Sequence, residues 1–220
     1  MVNYINWIAL CIFTLEIIGL LSVKVFGNNK INNEYIDRIL NIFPVFILFF
    51  VPIDVNVLIW VIGITLAYNI IEKDHQNVGI FIYLLVYSFV GIVLMIKDFH
   101  WMKLLISMMI TSSIIIILSI LINKLCKETV LSNNNSFGKK LWIMAIMYAV
   151  FSFTSLIYTF SVTYNFGFIA LVLSDILLGI KYILYYGNKM NPKTNKIMIY
   201  FILLLFYIGV IFASASIPYL

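Results

Sequence analysis

Gly167-Phe168-Ile169-Ala170-Leu171-Val172-Leu173-Ser174-Asp175-Ile176-Leu177-Leu178-Gly179-Ile180 settles the class of fold to which this chain belongs. It is apolar on both sides of a single acid. Residues 166–186 are enough to cross a bilayer, since about 20 residues of helix span about 30 Å of hydrocarbon. Asp175 then falls near the middle of the crossing. An acid at that depth costs about 2.5–3.5 kcal/mol on insertion scales, so its presence points to a function.

The rest of the chain has the same character. Of 220 residues, 64% are hydrophobic and 10% charged, and the mean hydropathy is +1.09. These values exclude an ordinary soluble domain. Eight apolar segments are candidates for spans: residues 4–26, 39–51, 55–71, 78–96, 104–122, 141–160, 166–186 and 197–220. The expected architecture is an all-α, polytopic integral membrane protein of about eight transmembrane helices. Residues 1–220 form a single transmembrane helical domain, because no hydrophilic stretch is long enough for another. The second and third segments are short, and only Pro52-Ile53-Asp54 separates them, so they can also be read as a hairpin that does not cross twice. Pro44 is expected to kink the second segment or to mark its start. The first segment lacks a basic leader, is too long for the apolar core of a signal peptide and carries Glu16, so it reads as a retained helix. The longest connection, residues 123–140, includes the flexible polar run Ser132-Asn133-Asn134-Asn135-Ser136-Phe137-Gly138. No internal repeat stands out, which argues against an inverted-repeat transporter.

The net charge of +5 invites a nucleic-acid reading, but the positions of the charges answer it. Eleven basic residues lie in odd-numbered connections: Lys24, Lys30, Arg38, Lys73, Lys124, Lys127, Lys139, Lys140, Lys189, Lys193 and Lys196. Only Lys97 and Lys103 lie in even ones. The positive-inside rule places the odd connections in the cytoplasm and both termini outside, in the cell membrane. Topology thus accounts for the basic charge, and no nucleic-acid partner is expected. Lys181, near a helix end, reads as a side chain snorkelling to the headgroups.

Little familiar chemistry is present. Cys11 and Cys126 give neither a disulfide framework nor metal-ligand spacing. His75 and His100 fall in connections on opposite membrane faces, so no metal site is expected, and no cofactor. The patterns of zinc proteases, serine hydrolases, P-loop ATPases and dinucleotide-binding enzymes are all absent.

Attention therefore stays on polar residues inside the spans. On helical spacing Asp175 shares a face with Phe168, Leu171, Leu178, Gly179, Tyr182 and Tyr186. Gly179 on that face would admit a neighbouring helix, and Tyr182 and Tyr186 would line it toward the cytoplasm. Glu16 lies midway along the first span, which runs in the same direction as the seventh in the eight-span topology. The two carboxylates then share a depth, and if they meet they would divide general acid and base roles. Otherwise Glu16 is a helix-packing acid. Asn69, beside Tyr68, lies near the cytoplasmic end of the third span, where bonding to a neighbouring helix is the simpler reading.

The run from Gly167 to Ser174-Asp175, with Phe206-Tyr207-Ile208-Gly209 and Phe212-Ala213-Ser214 near the C-terminus, resembles the YhhN family, whose characterised members are lysoplasmalogenases. That family carries a glycine with a Ser-Asp or Ser-Asn pair eight positions on. Its last helix leads from a tyrosine to a small residue and a serine. The first half departs from the pattern. A family Lys-Pro reads Phe43-Pro44 here, and a family Gly-Asp is matched by Tyr68-Asn69. A family histidine downstream of the glycine matching Gly79 falls near Tyr87, and a family glutamine falls near Val210.

The resemblance implies a membrane-embedded hydrolase acting on the vinyl ether bond of lysoplasmalogen-type lysophospholipids. Asp175, Glu16 and Asn69 take the catalytic positions, and Ser174, Tyr182, Tyr207 and Tyr87 the substrate-binding ones. The implied partners are a lipid substrate and the membrane, with no cofactor. Two alternatives stay open. A non-catalytic lipid-binding relative would have kept the cavity without the chemistry, as the departures at Phe43, Asn69 and Tyr87 suggest. A small proton-coupled transporter would use Asp175 and Glu16 as a relay.

Overall fold

The computed structural model describes residues 5–27, 30–72, 76–125, 136–186 and 190–219. Among them are eight α-helices and no strands: α1 (Trp7–Phe26), α2 (Lys30–Phe46), α3 (Val55–Glu72), α4 (Gln76–Lys97), α5 (Trp101–Leu125), α6 (Ser136–Thr163), α7 (Phe166–Tyr186) and α8 (Pro192–Ser216). Short 3-10 turns follow α2 at Ile47–Phe49 and α8 at Ile217–Tyr219. His75, Cys126 and the polar run 132–135 lie outside the described residues.

Helix ends follow local chemistry. Asn6 caps α1 by accepting the Ala9 amide at 3.1 Å, and Asp54 caps α3 by accepting the Val57 amide at 2.8 Å. Asn191 accepts the Thr194 amide at 2.7 Å with Pro192 in the first turn, so α8 starts at Pro192 rather than near residue 197. Each cap supplies an acceptor to an amide that the helix itself leaves unpaired, and proline suits a position whose N–H has no partner.

Among the described residues six helices are long and apolar enough to cross a membrane: α1 and α4 to α8. The other two are not. The apolar part of α3 covers Val55–Ile70, the short segment expected over residues 55–71, and α2 departs from its expected span. Instead of an apolar segment over residues 39–51, α2 begins at Lys30 in polar sequence and ends at Phe46, with Pro44 inside it. Its pattern is amphipathic: Ile36, Leu40 and Phe43 are buried, whereas Tyr35, Arg38, Ile39 and Ile42 are exposed. A search for uniformly apolar runs misses the first half of such a helix.

The packing order is a ring. Following contacts around it gives α1, α2, α3, α4, α6, α7 and α8, with α8 returning to α1. α5 lies outside, against α6 and α7. Its exposed face carries Met102, Ile106, Met109, Ile116, Ile117 and Ile120, as a lipid-facing helix requires. The fully buried side chains Phe43, Trp60, Tyr87, Phe168 and Tyr207 come from five different ring helices.

Two glycines mark close approaches between helices. A Cβ at Gly167 would overlap the backbone nitrogen of Ala213, which brings α7 against α8. A Cβ at Gly91 would overlap Ser155, which brings α4 against α6. Small residues take this role in membranes because helices there associate through close packing rather than through the hydrophobic effect. Gly179 differs from the expectation: among the described residues nothing lies within 4 Å of where its Cβ would be, so no described helix approaches there.

Two turns are also fixed by side chains. The Tyr158 hydroxyl of α6 accepts the His100 amide at 3.0 Å and donates to the Asp98 carbonyl at 3.1 Å, holding the turn between α4 and α5. Between α6 and α7, Tyr164 adopts a left-handed conformation, φ 56°, that ends α6. Asn165 then accepts the Gly167 amide at 2.8 Å and donates to the Phe212 carbonyl at 2.7 Å, tying the start of α7 to α8.

Candidate functional site around Asp175

Asp175 occupies the middle of α7, partly buried, and has a partner. The Tyr148 hydroxyl of α6 donates to its Oδ2 at 2.7 Å. A hydrogen bond to a carboxyl group in low-dielectric surroundings is stronger than one in water and fixes the orientation of the acceptor. The next shell is aromatic. Tyr83 and Tyr87 of α4 lie within electrostatic reach of Asp175 and of Tyr148.

The tyrosines form a continuous aromatic wall. The Tyr83 and Tyr87 rings are 5.7 Å apart, centroid to centroid, and Tyr87 lies 5.8 Å from Trp60 of α3. Tyr83 meets Phe206 of α8 edge to face at 5.9 Å, and Phe206 stacks on Tyr68 of α3 at 6.1 Å. Tyr207 then packs against Phe43 of α2 at 4.8 Å. The wall thus runs across α2, α3, α4 and α8, while Asp175 and Tyr148 come from α7 and α6.

The implied site residues divide into those that reach this cluster and those that do not. Tyr87, 1% exposed, lies within it, and its carbonyl accepts the Ser155 hydroxyl at 2.6 Å. Ser174 adjoins Asp175 in sequence, but its hydroxyl donates to the Ile202 carbonyl of α8 at 2.9 Å, which is a helix-packing bond. Tyr207 is buried at the far end of the wall, with its hydroxyl 3.5 Å from the Leu40 carbonyl. Tyr182 is 44% exposed, with the Lys181 ammonium 6.0 Å from its ring centroid.

Glu16 and Asn69 lie elsewhere. Glu16 is exposed in a cavity between α1 and α2. Its helix contacts α2 and α8, whereas α7 contacts α5, α6 and α8. A shared depth in the membrane does not bring two side chains together when their helices stand at different places around the ring. The Asn69 amide donates to the Thr65 carbonyl at 2.8 Å and to the Asn41 carbonyl of α2 at 3.4 Å, so it joins α3 to α2.

Sequence reasoning missed Tyr148 and Tyr83. The signal for Tyr148 is a polar stripe along α6, where Tyr148, Ser152, Ser155 and Thr159 recur at helical spacing. Ser152, Ser155 and Thr159 are buried. The two stretches that carry the family resemblance also meet: Gly167 lies on Ala213, and Gly209 lies on Leu171.

A second cavity, of about 650 Å³, lies between the start of α7 and the end of α8, lined by Trp7, Tyr164, Gly167, Phe212 and Ser216 among others. Among the described residues no three His, Cys, Asp or Glu side chains gather to hold a metal. No protein-family model matches this chain, and comparison with curated proteins and with solved structures gives no match.

Proposed function

We propose that the chain is a divergent YhhN-type membrane hydrolase that hydrates the vinyl ether of lysoplasmalogen-type lysophospholipids, with Asp175 as the acid. The observation that carries this reading is the Tyr148–Asp175 hydrogen bond, 2.7 Å long, set against the tyrosine wall. The reaction requires a proton on the outer vinyl carbon and shelter for the oxocarbenium ion that forms. Neutral Asp175 donates that proton, and the carboxylate left behind faces the cation. Water adds at the carbon bonded to oxygen and returns a proton to Asp175. The hemiacetal then collapses to an aldehyde and a glycerophospho-alcohol. One carboxyl serves as acid and then as base, so Glu16 and Asn69 are not needed. The faces of Tyr83 and Tyr87 suit a developing cation, as aromatic rings do generally.

The lipid enters from the membrane in this reading. The protein sits in the cell membrane with eight crossings, odd connections in the cytoplasm and both termini outside. This orientation holds when α2 and α3 both cross or neither does, and it inverts on one side of them if α3 crosses alone. The test is aldehyde release by the full chain in phosphatidylcholine nanodiscs given a lysoplasmalogen. Release supports the reading. A protein that binds the lipid without releasing aldehyde contradicts it and favours the lipid-binding alternative, for which the placement of Glu16 and Asn69 away from Asp175 is the supporting observation.

A further inference from the structure

Glu16 has no part in that chemistry, yet it remains an acid midway along an apolar helix. Its surroundings form a cavity of about 270 Å³ between α1 and α2. The walls are Phe13, Ile17 and Leu20 of α1 and Ile39, Phe43 and Phe46 of α2, so the Glu16 carboxylate is the one polar group among the lining side chains. The Phe13 ring stacks on Phe43 at 5.3 Å, which gives the groove an aromatic floor. Among the described residues no hydrogen bond or ion pair is formed by Glu16. Lys24, two turns further along α1, is paired with Asp37 of α2.

We propose that this groove binds a lipophilic organic cation, one whose charge is carried within aromatic or alkyl groups, with Glu16 as the counter-charge. Charge complementarity selects the occupant. A neutral lipid chain would fill the walls equally well but would offer the carboxyl group no partner, whereas a cation supplies one. The phenylalanine faces of the groove attract a cation as well. A phospholipid headgroup carries its cation at the interface, whereas Glu16 is the tenth residue of the 20-residue helix α1, far from either end. The volume falls just short of a drug-sized pocket, so the groove holds the charged centre and part of its substituents while the rest extends into lipid. This proposal is independent of the hydrolase reading.

The test uses the full chain in phosphatidylcholine nanodiscs with tritiated tetraphenylphosphonium, after subtracting uptake by empty nanodiscs. Tetraphenylsilane, its uncharged counterpart in shape, serves as competitor. Saturable binding of the cation is expected, weakened at least ~10-fold in Glu16→Gln, the equivalent of about 1.4 kcal/mol. Excess tetraphenylsilane should not displace it. Phe46→Ala, which keeps the charge and removes one partly exposed wall, should weaken binding severalfold and serves alone if Glu16→Gln does not fold. Binding that Glu16→Gln leaves within twofold, or that tetraphenylsilane displaces at equal concentration, overturns the proposal, as does Phe46→Ala without effect.

Discussion

The Tyr148 hydroxyl of α6 donates to Oδ2 of Asp175 on α7 at 2.7 Å, joining two helices inside the ring through one short polar contact. The two residues are 27 apart in sequence, so the contact exists only because α6 and α7 fold back on each other. It orients the carboxyl relative to Tyr83 and Tyr87, and the proposed proton transfer depends on that orientation.

Tyr148→Phe removes the donor and keeps the ring. Loss of one such bond costs about 0.5–1.5 kcal/mol of stability, so the protein should remain folded. Aldehyde release should fall, with the loss in kcat rather than in KM, because the hydroxyl positions the acid and does not hold the lipid. Steady-state kinetics on lysoplasmalogen in nanodiscs measures this, and an unchanged kcat would remove Tyr148 from the mechanism.

The contrast between two glycines on α7 tests the packing account. Gly167→Ala forces a methyl group against the backbone of Ala213, and overpacking of this kind costs about 1–3 kcal/mol. Gly179→Ala meets open space and gains helix propensity, up to about 1 kcal/mol. Thermal unfolding in detergent should show a lower Tm for the first variant and an equal or higher Tm for the second.

Trp60 and Ser214 give a third test. The indole N–H of Trp60, fully buried, has the Ser214 hydroxyl as its partner at 3.1 Å. Ser214→Ala strands that donor and should cost about 1–3 kcal/mol. Thermal unfolding in detergent should show a lower Tm for this variant, and an unchanged Tm would contradict the hydrogen bond.

Orientation is tested by single cysteines in a background lacking Cys11 and Cys126. Asp98→Cys, in the turn before α5, should react with an impermeant thiol reagent on intact cells. Lys193→Cys, at the start of α8, should react only after permeabilisation. The reverse pattern would invert the topology and place the basic connections outside.

Much of the bundle was legible because apolar runs as long as a bilayer is thick have few alternatives. α1 and α4 to α8 follow from length and hydropathy alone. α2 was not legible to its full extent, since its first half from Lys30 to Arg38 is mostly polar in sequence. Asp175 announced itself as an acid in an apolar run. Its partner did not, because tyrosine is unremarkable in a membrane helix, and only the stripe with Ser152, Ser155 and Thr159 marks Tyr148. Pairing Glu16 with Asp175 was beyond sequence reasoning for a geometric reason: hydropathy gives depth, while position around the ring comes from packing. Gly179 carries the same lesson. A small residue permits a close approach, and here α8 makes that approach at Gly167.

The central claim is that Asp175 supplies the proton, and Asp175→Asn tests it most directly. The amide keeps the size of the side chain and can still accept from Tyr148, so the fold should survive, but it has no carboxyl proton to donate. General acid catalysis by a positioned group is worth about 10²–10⁴-fold, so the rate of aldehyde release per molecule should fall at least ~100-fold while lysoplasmalogen binding is retained. Folded Asp175→Asn protein that releases aldehyde within tenfold of the unsubstituted chain would contradict the claim.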